Sequence, residues 1–235
     1  MTGRLEGRIA LITGASRGIG AAVARRFAAE GAHLILTART VGGLEEVDDK
    51  IQAIGGNATL IPADLMKMEQ IDQMGGAIYA RFRRLDILVG NAATLGTLSP
   101  VAHVTPSVWD EVITLNATVN YRLIRSFDPL LQQSDAGRAI FVTSSAAQES
   151  IPYWGPYAVG KAALEALVRT YAGEVAKTNV RANLIDPGSV RTVLRAEAFP
   201  GEDKMKLAAP EDITDPFVAL AEAGFQENGA VFLAQ

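Results

Sequence analysis

The sequence contains no cysteine and only two histidines, His33 and His103. Without cysteine there are no disulfides and no thiolate sites, and two separated histidines are too few to predict a zinc site. Basic residues are not in excess, because 22 lysines and arginines stand against 26 acidic residues, for a net charge of -4. Proteins that bind nucleic acid usually carry an excess of positive charge. We therefore expect neither a metal site nor a nucleic-acid partner.

Long hydrophobic runs are also missing. The N-terminal segment is charged as far as Arg8, and the apolar run that follows, residues 9–13, ends at a glycine. Such a run is too short to cross a membrane and does not resemble a signal peptide. We therefore expect no membrane association and a cytoplasmic location.

The chain does have the length and the apolar content for one sizeable core. It has 235 residues, of which 49% are hydrophobic and 20% are charged, as is usual for a globular domain. From Arg8 onward, short apolar runs alternate with longer amphipathic segments, and no linker or internal repeat divides the chain. The pattern predicts an α/β fold, a single Rossmann-type doubly wound domain over residues 1–235. We expect a parallel sheet of about seven strands with helices on both faces.

The individual elements follow from the same alternation. Strands are predicted at residues 9–13, 33–38, 58–62, 86–90, 138–143, 180–185 and 229–233. Helices are predicted from 19, at 43–54 and 69–82, from 106 toward 133, from 156, and at 210–223. A Pro-Gly pair and several charges make residues 193–209 irregular, so we expect a mobile substrate loop at about 188–209.

The first predicted strand leads directly into a glycine-rich turn and then into a helix. Glycine permits the tight turn, lets the backbone approach a pyrophosphate and allows the helix to pack closely on the strand, while the helix N-terminus faces the phosphates. The glycine spacing differs from the usual GxGxxG, but the position between strand and helix favours a nucleotide site. The predicted cofactor contacts in this turn are Gly14, Ser16, Arg17, Gly18, Ile19 and Gly20.

The end of the second predicted strand indicates which dinucleotide binds. Folds that bind NAD usually place an acid about twenty residues past the glycine turn, where it bonds the ribose hydroxyls. This chain has Arg39 in that region and no acid. Arg39 and Arg17 together would suit a 2'-phosphate, although either is also explained as a solvated surface charge. The sequence therefore predicts NADP(H) rather than NAD(H).

Two further segments follow predicted strands and are candidate cofactor contacts. Asp64 and Leu65 come just past the third strand, where an acid can bond the adenine amino group, although Asp64 alone is explained equally by a helix cap. Asn91, Ala92 and Ala93 follow the central strand, and their small size suits a ligand in the crevice of an open parallel sheet. A simple turn is the alternative at that position.

Tyr157 and Lys161 lie four residues apart at the start of a predicted helix and so share one helical face. A tyrosine has an unperturbed pKa of about 10, and a neighbouring lysine cation would favour the phenolate, so the pair predicts acid/base chemistry. Such a pair also arises by chance on a surface helix. Ser144 and Ser145 end the preceding strand, and Asn116 lies inside the long helix, where a tolerated polar residue is the simplest interpretation.

Together these motifs resemble the short-chain dehydrogenase/reductase family, in its short single-domain branch, across essentially the whole chain. Residues 13–20 resemble the TGxxxGxG turn of that family, Asp64 its adenine-contacting acid, and residues 91–93 its NAG motif with alanine in place of the last glycine. The segment from Pro187 to Thr192 resembles the PG motif that seats the nicotinamide. The cofactor contacts implied there are Pro187, Gly188, Val190 and Thr192.

The resemblance extends to the catalytic residues. Tyr157 and Lys161 match the YxxxK motif, Asn116 matches the helix asparagine, and Ser144 precedes Tyr157 by the thirteen residues typical of the family, a spacing that favours Ser144 over Ser145. The family implies that Tyr157 exchanges a proton with a carbonyl or alcohol substrate while Ser144 bonds the same oxygen. It implies that Lys161 lowers the pKa of Tyr157 and holds the nicotinamide ribose, and that Asn116 distorts its helix and anchors a water.

The resemblance therefore implies an NADP(H)-dependent oxidoreductase that transfers hydride between nicotinamide and a ketone or secondary alcohol, as a homodimer or homotetramer. One alternative is a sugar-nucleotide epimerase or dehydratase, but such enzymes usually need a further C-terminal domain and a GxxGxxG turn. The other is a non-catalytic NADP(H)-binding sensor or scaffold, which would not require a proton donor. The segments expected to select the substrate contain few charges, which predicts a moderately apolar pocket.

Overall fold

The computed structural model of the protein describes residues 3–235, and its centre is one parallel sheet. The order of the strands across the sheet is β3-β2-β1-β4-β5-β6-β7, and every neighbouring pair is parallel. This order confirms the predicted fold class. The strands are β1 (Ile9–Thr13), β2 (His33–Thr37), β3 (Asn57–Leu60), β4 (Ile87–Gly90), β5 (Arg138–Val142), β6 (Arg181–Asp186) and β7 (Val231–Leu233).

The helices cover both faces of the sheet. They are α1 (Gly18–Ala29), α2 (Val41–Gln52), α3 (Met68–Phe82), α4 (Pro106–Ile113), α5 (Val119–Leu131), α6 (Gly155–Val175), α7 (Val193–Ala198) and α8 (Asp215–Ala221). One core contains Phe27 of α1 and Phe217 of α8, and the other contains Phe127 of α5 and Leu164 of α6. Successive residues of a strand point to opposite faces, so each strand contributes side chains to both cores.

Strand order places a crevice at the centre of the sheet. The chain builds outward from β1 through β2 to β3 and then returns to place β4 on the other side of β1. Ligands of open parallel sheets bind at such a switch point, beyond the carboxyl ends of the strands. The glycine turn follows β1, and residues 91–93 follow β4, so both predicted cofactor segments lie at this crevice.

The long helix predicted from 106 to 133 is interrupted. A π-helical segment, Thr114–Thr118, separates α4 from α5. Within it, the carbonyl of Asn116 accepts a hydrogen bond from Asn120 Nδ2 at 2.9 Å. The segment is also packed tightly against α6, since a β-carbon at Gly160 would lie only 3.0 Å from Asn116 Cβ. Local widening of this kind is a recognised source of helix distortion at functional sites.

Two segments in the last third of the chain differ from the secondary structure predicted for them. Residues 193–209 are more regular than expected, because they contain α7 and a 3-10 turn at Lys204–Lys206, and a β-bridge joins Val190 to Ala208. The last helix begins at Asp215 rather than at 210. Pro216 explains the later start, because proline is tolerated in the first turn of a helix and disrupts its interior.

At the amino ends of the strands lies a group of buried polar residues that we call the basal cluster: Arg8, Asp86, Ser134 and Arg138. Asp86 accepts hydrogen bonds from the Ile9 N–H at 2.8 Å and from the Ser134 hydroxyl at 2.5 Å. Arg8 donates to the carbonyls of residues 86, 136 and 221. Arg138 donates to the carbonyls of residues 137, 179, 222, 223 and 225. Each buried charge is thus matched by partners from this chain.

Candidate active site

A cleft of about 430 Å³ lies beyond the carboxyl ends of the strands. Its volume falls in the range of small-molecule sites. All the predicted cofactor and catalytic residues line it except Gly20 and Asn116. The predicted residues in the lining are Gly14, Ser16, Arg17, Gly18, Ile19, Arg39, Asp64, Leu65, Asn91, Ala92, Ala93, Ser144, Tyr157, Lys161, Pro187, Gly188, Val190 and Thr192.

The glycine turn is shaped by positions where a side chain has no room. Gly14 and Gly18 have φ angles of +63° and +57°, in the region that favours glycine. A β-carbon at Gly14 would also lie 2.9 Å from Asn91 Nδ2, and one at Gly20 would collide with the Gly14 carbonyl. Gly20 therefore acts beneath the cleft surface, where it lets the N-terminus of α1 approach the turn.

The turn is held from below by two polar residues. Asn91 Nδ2 donates to the Thr13 carbonyl at 2.8 Å, and the Thr13 hydroxyl accepts from the Asn91 N–H at 2.9 Å and the Ala92 N–H at 3.1 Å. Thr13 was not among the predicted site residues. It is buried at the end of β1, and its side chain joins the glycine turn to the segment after β4. The sequence signal for it is its position directly before the turn.

The two arginines at one end of the cleft are exposed, while other arginines of the same region are paired. Arg17 precedes α1, and Arg39 follows β2. By contrast, Arg25 pairs with Glu211, and Arg26 with Glu30. Two guanidinium groups that face one cleft form a suitable binding site for a phosphate group.

Asp64 has a structural contact as well as a place in the cleft. Its Oδ1 accepts from the Met66 N–H at 3.1 Å, and its own N–H donates to Gln70 Oε1 at 2.8 Å. Lys67 occupies the N-cap position of α3, so Asp64 stabilises the turn before the helix and is not the helix cap. Its carboxylate keeps acceptor capacity for a ligand, because an ionised carboxylate can accept several hydrogen bonds.

Ser144, Tyr157 and Lys161 meet in the cleft from two elements. Ser144 follows β5, and its hydroxyl accepts from the Ala146 N–H at 3.3 Å. Tyr157 and Lys161 project from the first turns of α6, with the Lys161 ammonium 5.7 Å from the centre of the Tyr157 ring. Lys161 Nζ donates to the Val142 carbonyl at 2.7 Å, which ties α6 to the end of β5. Ser145 is exposed and does not line the cleft.

Burial dominates the charge states of this group. It raises the pKa of Tyr157 to about 12, while the Ser144 hydroxyl lowers that pKa and the Asp186 carboxylate raises it. Burial lowers the pKa of Lys161 to about 8, and Asp186 acts in the opposite direction. Lys161 is not among the groups that shift the pKa of Tyr157 here, so the expectation that Lys161 lowers this pKa stays a prediction. Tyr157 is protonated near neutral pH and can donate a proton.

Asn116 is fully buried and does not face the cleft. Its Nδ2 donates to the Thr94 carbonyl at 2.9 Å, and its Oδ1 accepts from the Thr94 N–H at 3.0 Å. The side chain thus fixes the segment after β4. Its main-chain carbonyl, which accepts from Asn120 Nδ2, has a second lone pair for any water. The sequence motif indicates Asn116 but not this contact, since Thr94 lies 22 residues away.

Asp186 is a cleft residue that the sequence reasoning did not assign to the site. It ends β6 and is largely buried, and its Oδ1 accepts from the Gly188 N–H at 2.9 Å. Gly188 has a φ angle of +69°, so this bond holds a turn that glycine favours. The Gln235 side chain supports the same turn by donating to the Pro187 carbonyl at 2.9 Å. The signal for Asp186 was its position directly before the PG motif.

The described part of the chain gives two further findings. No helix within residues 3–235 is long and apolar enough to span a bilayer. The same residues contain no group of three or more His, Cys, Asp or Glu side chains arranged to hold a metal ion.

Comparison with known proteins indicates the family to which this chain belongs. A family model described as short chain dehydrogenase matches residues 8–203. An Escherichia coli protein described as the uncharacterized oxidoreductase YciK is 36% identical over 98% of this chain and 93% of its own length. Mouse dehydrogenase/reductase SDR family member 4 is 33% identical over 96% of this chain and 79% of its own length.

Solved structures agree with these sequence matches. The structure of yciK from E. coli has a TM-score of 0.96 and 35% identity, over 100% of this chain and 98% of that one. A short chain dehydrogenase structure from Shigella flexneri, described as complexed with NADP, has the same TM-score and identity over 100% of both chains. This chain therefore belongs to the short chain dehydrogenase family of oxidoreductases.

Proposed function

We propose that the protein is an NADP(H)-dependent carbonyl reductase or alcohol dehydrogenase, with Tyr157 as its general acid and base. The observation that carries the proposal is the convergence of Ser144, Tyr157 and Lys161 in the cleft that the glycine turn also lines. When bound, NADP(H) supplies the hydride for reduction of a ketone or accepts it from a secondary alcohol.

The residues around Tyr157 support the proton transfer. With its pKa raised to about 12 by burial, Tyr157 carries the proton that a reduced carbonyl oxygen requires. Ser144 donates a hydrogen bond to the same oxygen as negative charge develops there. Lys161 places a positive charge beside Tyr157 and stabilises the phenolate that forms when the proton leaves. Asn116 is a positioning residue, because its side chain is bonded to Thr94.

The proposed cofactor fits the residues at the other end of the cleft. Close contact at Gly14 and Gly20 leaves a main-chain cradle for a pyrophosphate at the start of α1, and Arg17 and Arg39 suit a 2'-phosphate. Asp64 and Leu65 would contact the adenine, and the segments at 91–93 and 187–192 would contact the nicotinamide half. Structures described as complexed with NADP and NADPH are among those that this chain resembles.

The first experiment measures turnover and binding separately. Purified protein is titrated with NADPH, and NADPH oxidation is then followed against a broad panel of ketones and aldehydes. We expect Tyr157→Phe to bind NADPH as the wild type does and to lose activity by about a hundred- to ten-thousandfold, because the ring still packs but the proton donor is gone. Unchanged turnover in that variant would refute the role of Tyr157. NADPH binding without turnover of any carbonyl would favour a sensor or scaffold.

The second experiment tests the cofactor preference. Replacing Arg39 with Gln removes a charged contact to the 2'-phosphate, which is worth about 1.5–3 kcal/mol for a bond to a charged group. We expect the ratio of kcat/KM for NADPH over NADH to fall by roughly ten- to a hundredfold. Arg25→Gln is the matched control, since Arg25 pairs with Glu211 and does not line the cleft. A wild-type preference for NADH would overturn the assignment.

Two coarser features belong to the same proposal. We propose that residues 188–209 form the substrate loop, because Thr192, Leu194 and Arg195 line the cleft.

We also propose a homodimer or homotetramer, supported by the exposed Trp109, Tyr121 and Val159 on α4, α5 and α6. Analytical ultracentrifugation tests the assembly. The cytoplasmic location stays a prediction from the sequence.

A further inference from the structure

An aromatic surface borders Tyr157 on the side of the substrate loop. The Trp154 ring lies 5.6 Å from the Tyr157 ring, edge to face at an interplanar angle of 76°. The Phe199 ring lies 5.7 Å from Trp154, tilted by 38°. We call Trp154 and Phe199 the aromatic wall. Trp154 occupies the N-cap position of α6, about one helical turn before Tyr157, so the helix fixes the separation of these two residues.

The backbone before the aromatic wall is strained. Tyr153 has a φ angle of +75°. This conformation is unusual for a bulky residue and costs on the order of 1–3 kcal/mol. Its carbonyl accepts a hydrogen bond from the Ser99 N–H at 3.1 Å, which ties the loop after β5 to the loop after β4. Strain of this kind persists only where surrounding contacts hold it, and it concentrates at ligand sites. It fixes where the Trp154 side chain leaves the backbone.

The cleft around the aromatic wall is apolar. Trp154, Leu194 and Ala198 all line the cleft, and all three pack on the small hydrophobic cluster that includes Tyr157 and Leu95. A substrate whose carbonyl reaches Tyr157 and Ser144 therefore has these apolar side chains, including the indole ring, beside it. Aromatic rings gain from each other in edge-to-face or offset contact beyond the area that they bury.

The charges of the same region do not provide a free site for an anion. Arg195 lines the cleft, but two of its nitrogens pair with the Glu202 carboxylate at 2.7 Å each, and its guanidinium carbon lies 3.9 Å from the centre of the Phe199 ring. Its charge is therefore neutralised, and it holds Phe199 in place. Asp186 and Lys161 both line the cleft with opposite charges, so the pair gives no net attraction for a negatively charged substrate.

We propose that the substrate is an uncharged ketone whose carbonyl carbon bears a flat aromatic ring, and that Trp154 contacts this ring. The inference rests on the proposed carbonyl reduction. In that reaction Tyr157 would give a proton to the carbonyl oxygen, the hydride on the carbonyl carbon would come from bound NADPH, and a secondary alcohol and NADP⁺ would result.

The test compares three ketones in the full-length protein. Acetophenone has the flat ring, cyclohexyl methyl ketone has a ring of similar size that is neither flat nor aromatic, and 4-acetylbenzoate adds a negative charge. The variants are Trp154→Leu, which keeps apolar bulk, and Trp154→Phe, which keeps an aromatic ring. NADPH titration and thermal melts verify that each variant is folded.

We expect wild-type kcat/KM to be highest for acetophenone. Trp154→Leu should lower the ratio of acetophenone to cyclohexyl methyl ketone by roughly three- to tenfold, as expected for one lost aromatic contact, and Trp154→Phe should retain most of that ratio. An equal loss for both ketones in Trp154→Leu would mean that Trp154 only supports Tyr157, and would overturn the inference.

Two other outcomes separate this inference from the proposed function. If 4-acetylbenzoate or cyclohexyl methyl ketone is the better wild-type substrate, the inference fails, while carbonyl reduction stands. If NADPH binds and no carbonyl of the broad panel is reduced, the proposed function fails and the inference with it.

Discussion

The two ends of the sheet each bury polar groups, but the two sets of groups differ in how many hydrogen-bond partners the chain gives them. At the amino ends of the strands, the basal cluster matches its charges with partners from this chain, and Arg138 alone donates to five main-chain carbonyls. At the carboxyl ends, the buried Lys161 has a single acceptor within residues 3–235, the Val142 carbonyl, although an ammonium has three donors. Burial of charge therefore does not identify a site by itself. The hydrogen-bonding capacity that the fold leaves over is what distinguishes the cleft.

Substitutions in the basal cluster should lower the stability of the protein and leave its activity unchanged. Replacing Arg138 with Met leaves its carbonyl partners buried without a donor, so we expect the free energy of unfolding to fall by about 3–5 kcal/mol. Chemical denaturation measures the loss, and kcat per folded molecule should not change. Arg25→Met is the control for a partly exposed ion pair and should cost less than about 1 kcal/mol. A loss of kcat in folded Arg138→Met would contradict the division between the two ends.

Two serines allow a matched comparison of the two ends. Ser134→Ala removes a 2.5 Å bond to the buried Asp86 and should cost about 1–3 kcal/mol of stability with little change in kcat. Ser144→Ala should lower kcat by roughly a hundred- to a thousandfold, because it removes the proposed donor to the developing oxyanion, and should hardly affect stability.

Ser145→Ala completes the serine series. Ser145 is exposed and outside the cleft, so this variant should keep both its stability and its activity. The opposite result, an inactive Ser145→Ala with an active Ser144→Ala, would exchange the roles of the two residues.

A shift in pH dependence is expected from the charge of Asp186. Its carboxylate raises the pKa of both Tyr157 and Lys161, so Asp186→Asn should lower both pKa values. The high-pH limb of ketone reduction, where Tyr157 loses its proton, should move to lower pH, and so should the low-pH limb of alcohol oxidation. Asparagine can still accept from the Gly188 N–H, so NADPH affinity serves as the control for the turn. If these limbs of the two pH–rate profiles stayed in place or moved to higher pH, Asp186 would not be raising the pKa of Tyr157.

Much of the fold could be predicted because its signals are local. Buried parallel strands are short apolar runs, and amphipathic helices repeat about every 3.6 residues, so both can be identified in the sequence. The errors came where a local signal was misjudged or where a partner was distant. Pro216 marks the true start of α8, but acidic residues near 210 also resemble a helix start. The contact between Asn116 and Thr94 joins elements that only the packed chain brings together.

The sequence by itself determined the strand and helix alternation, the glycine turn, and the spacing of Ser144, Tyr157 and Lys161. These features depend on residue type and on separation along the chain, which the sequence contains directly. Only the tertiary structure decided that burial raises the pKa of Tyr157, that Asp186 and Trp154 line the same cleft, and that Phe199 lies against Trp154. Desolvation and contacts between distant segments depend on how elements pack, and packing is a property of the whole fold.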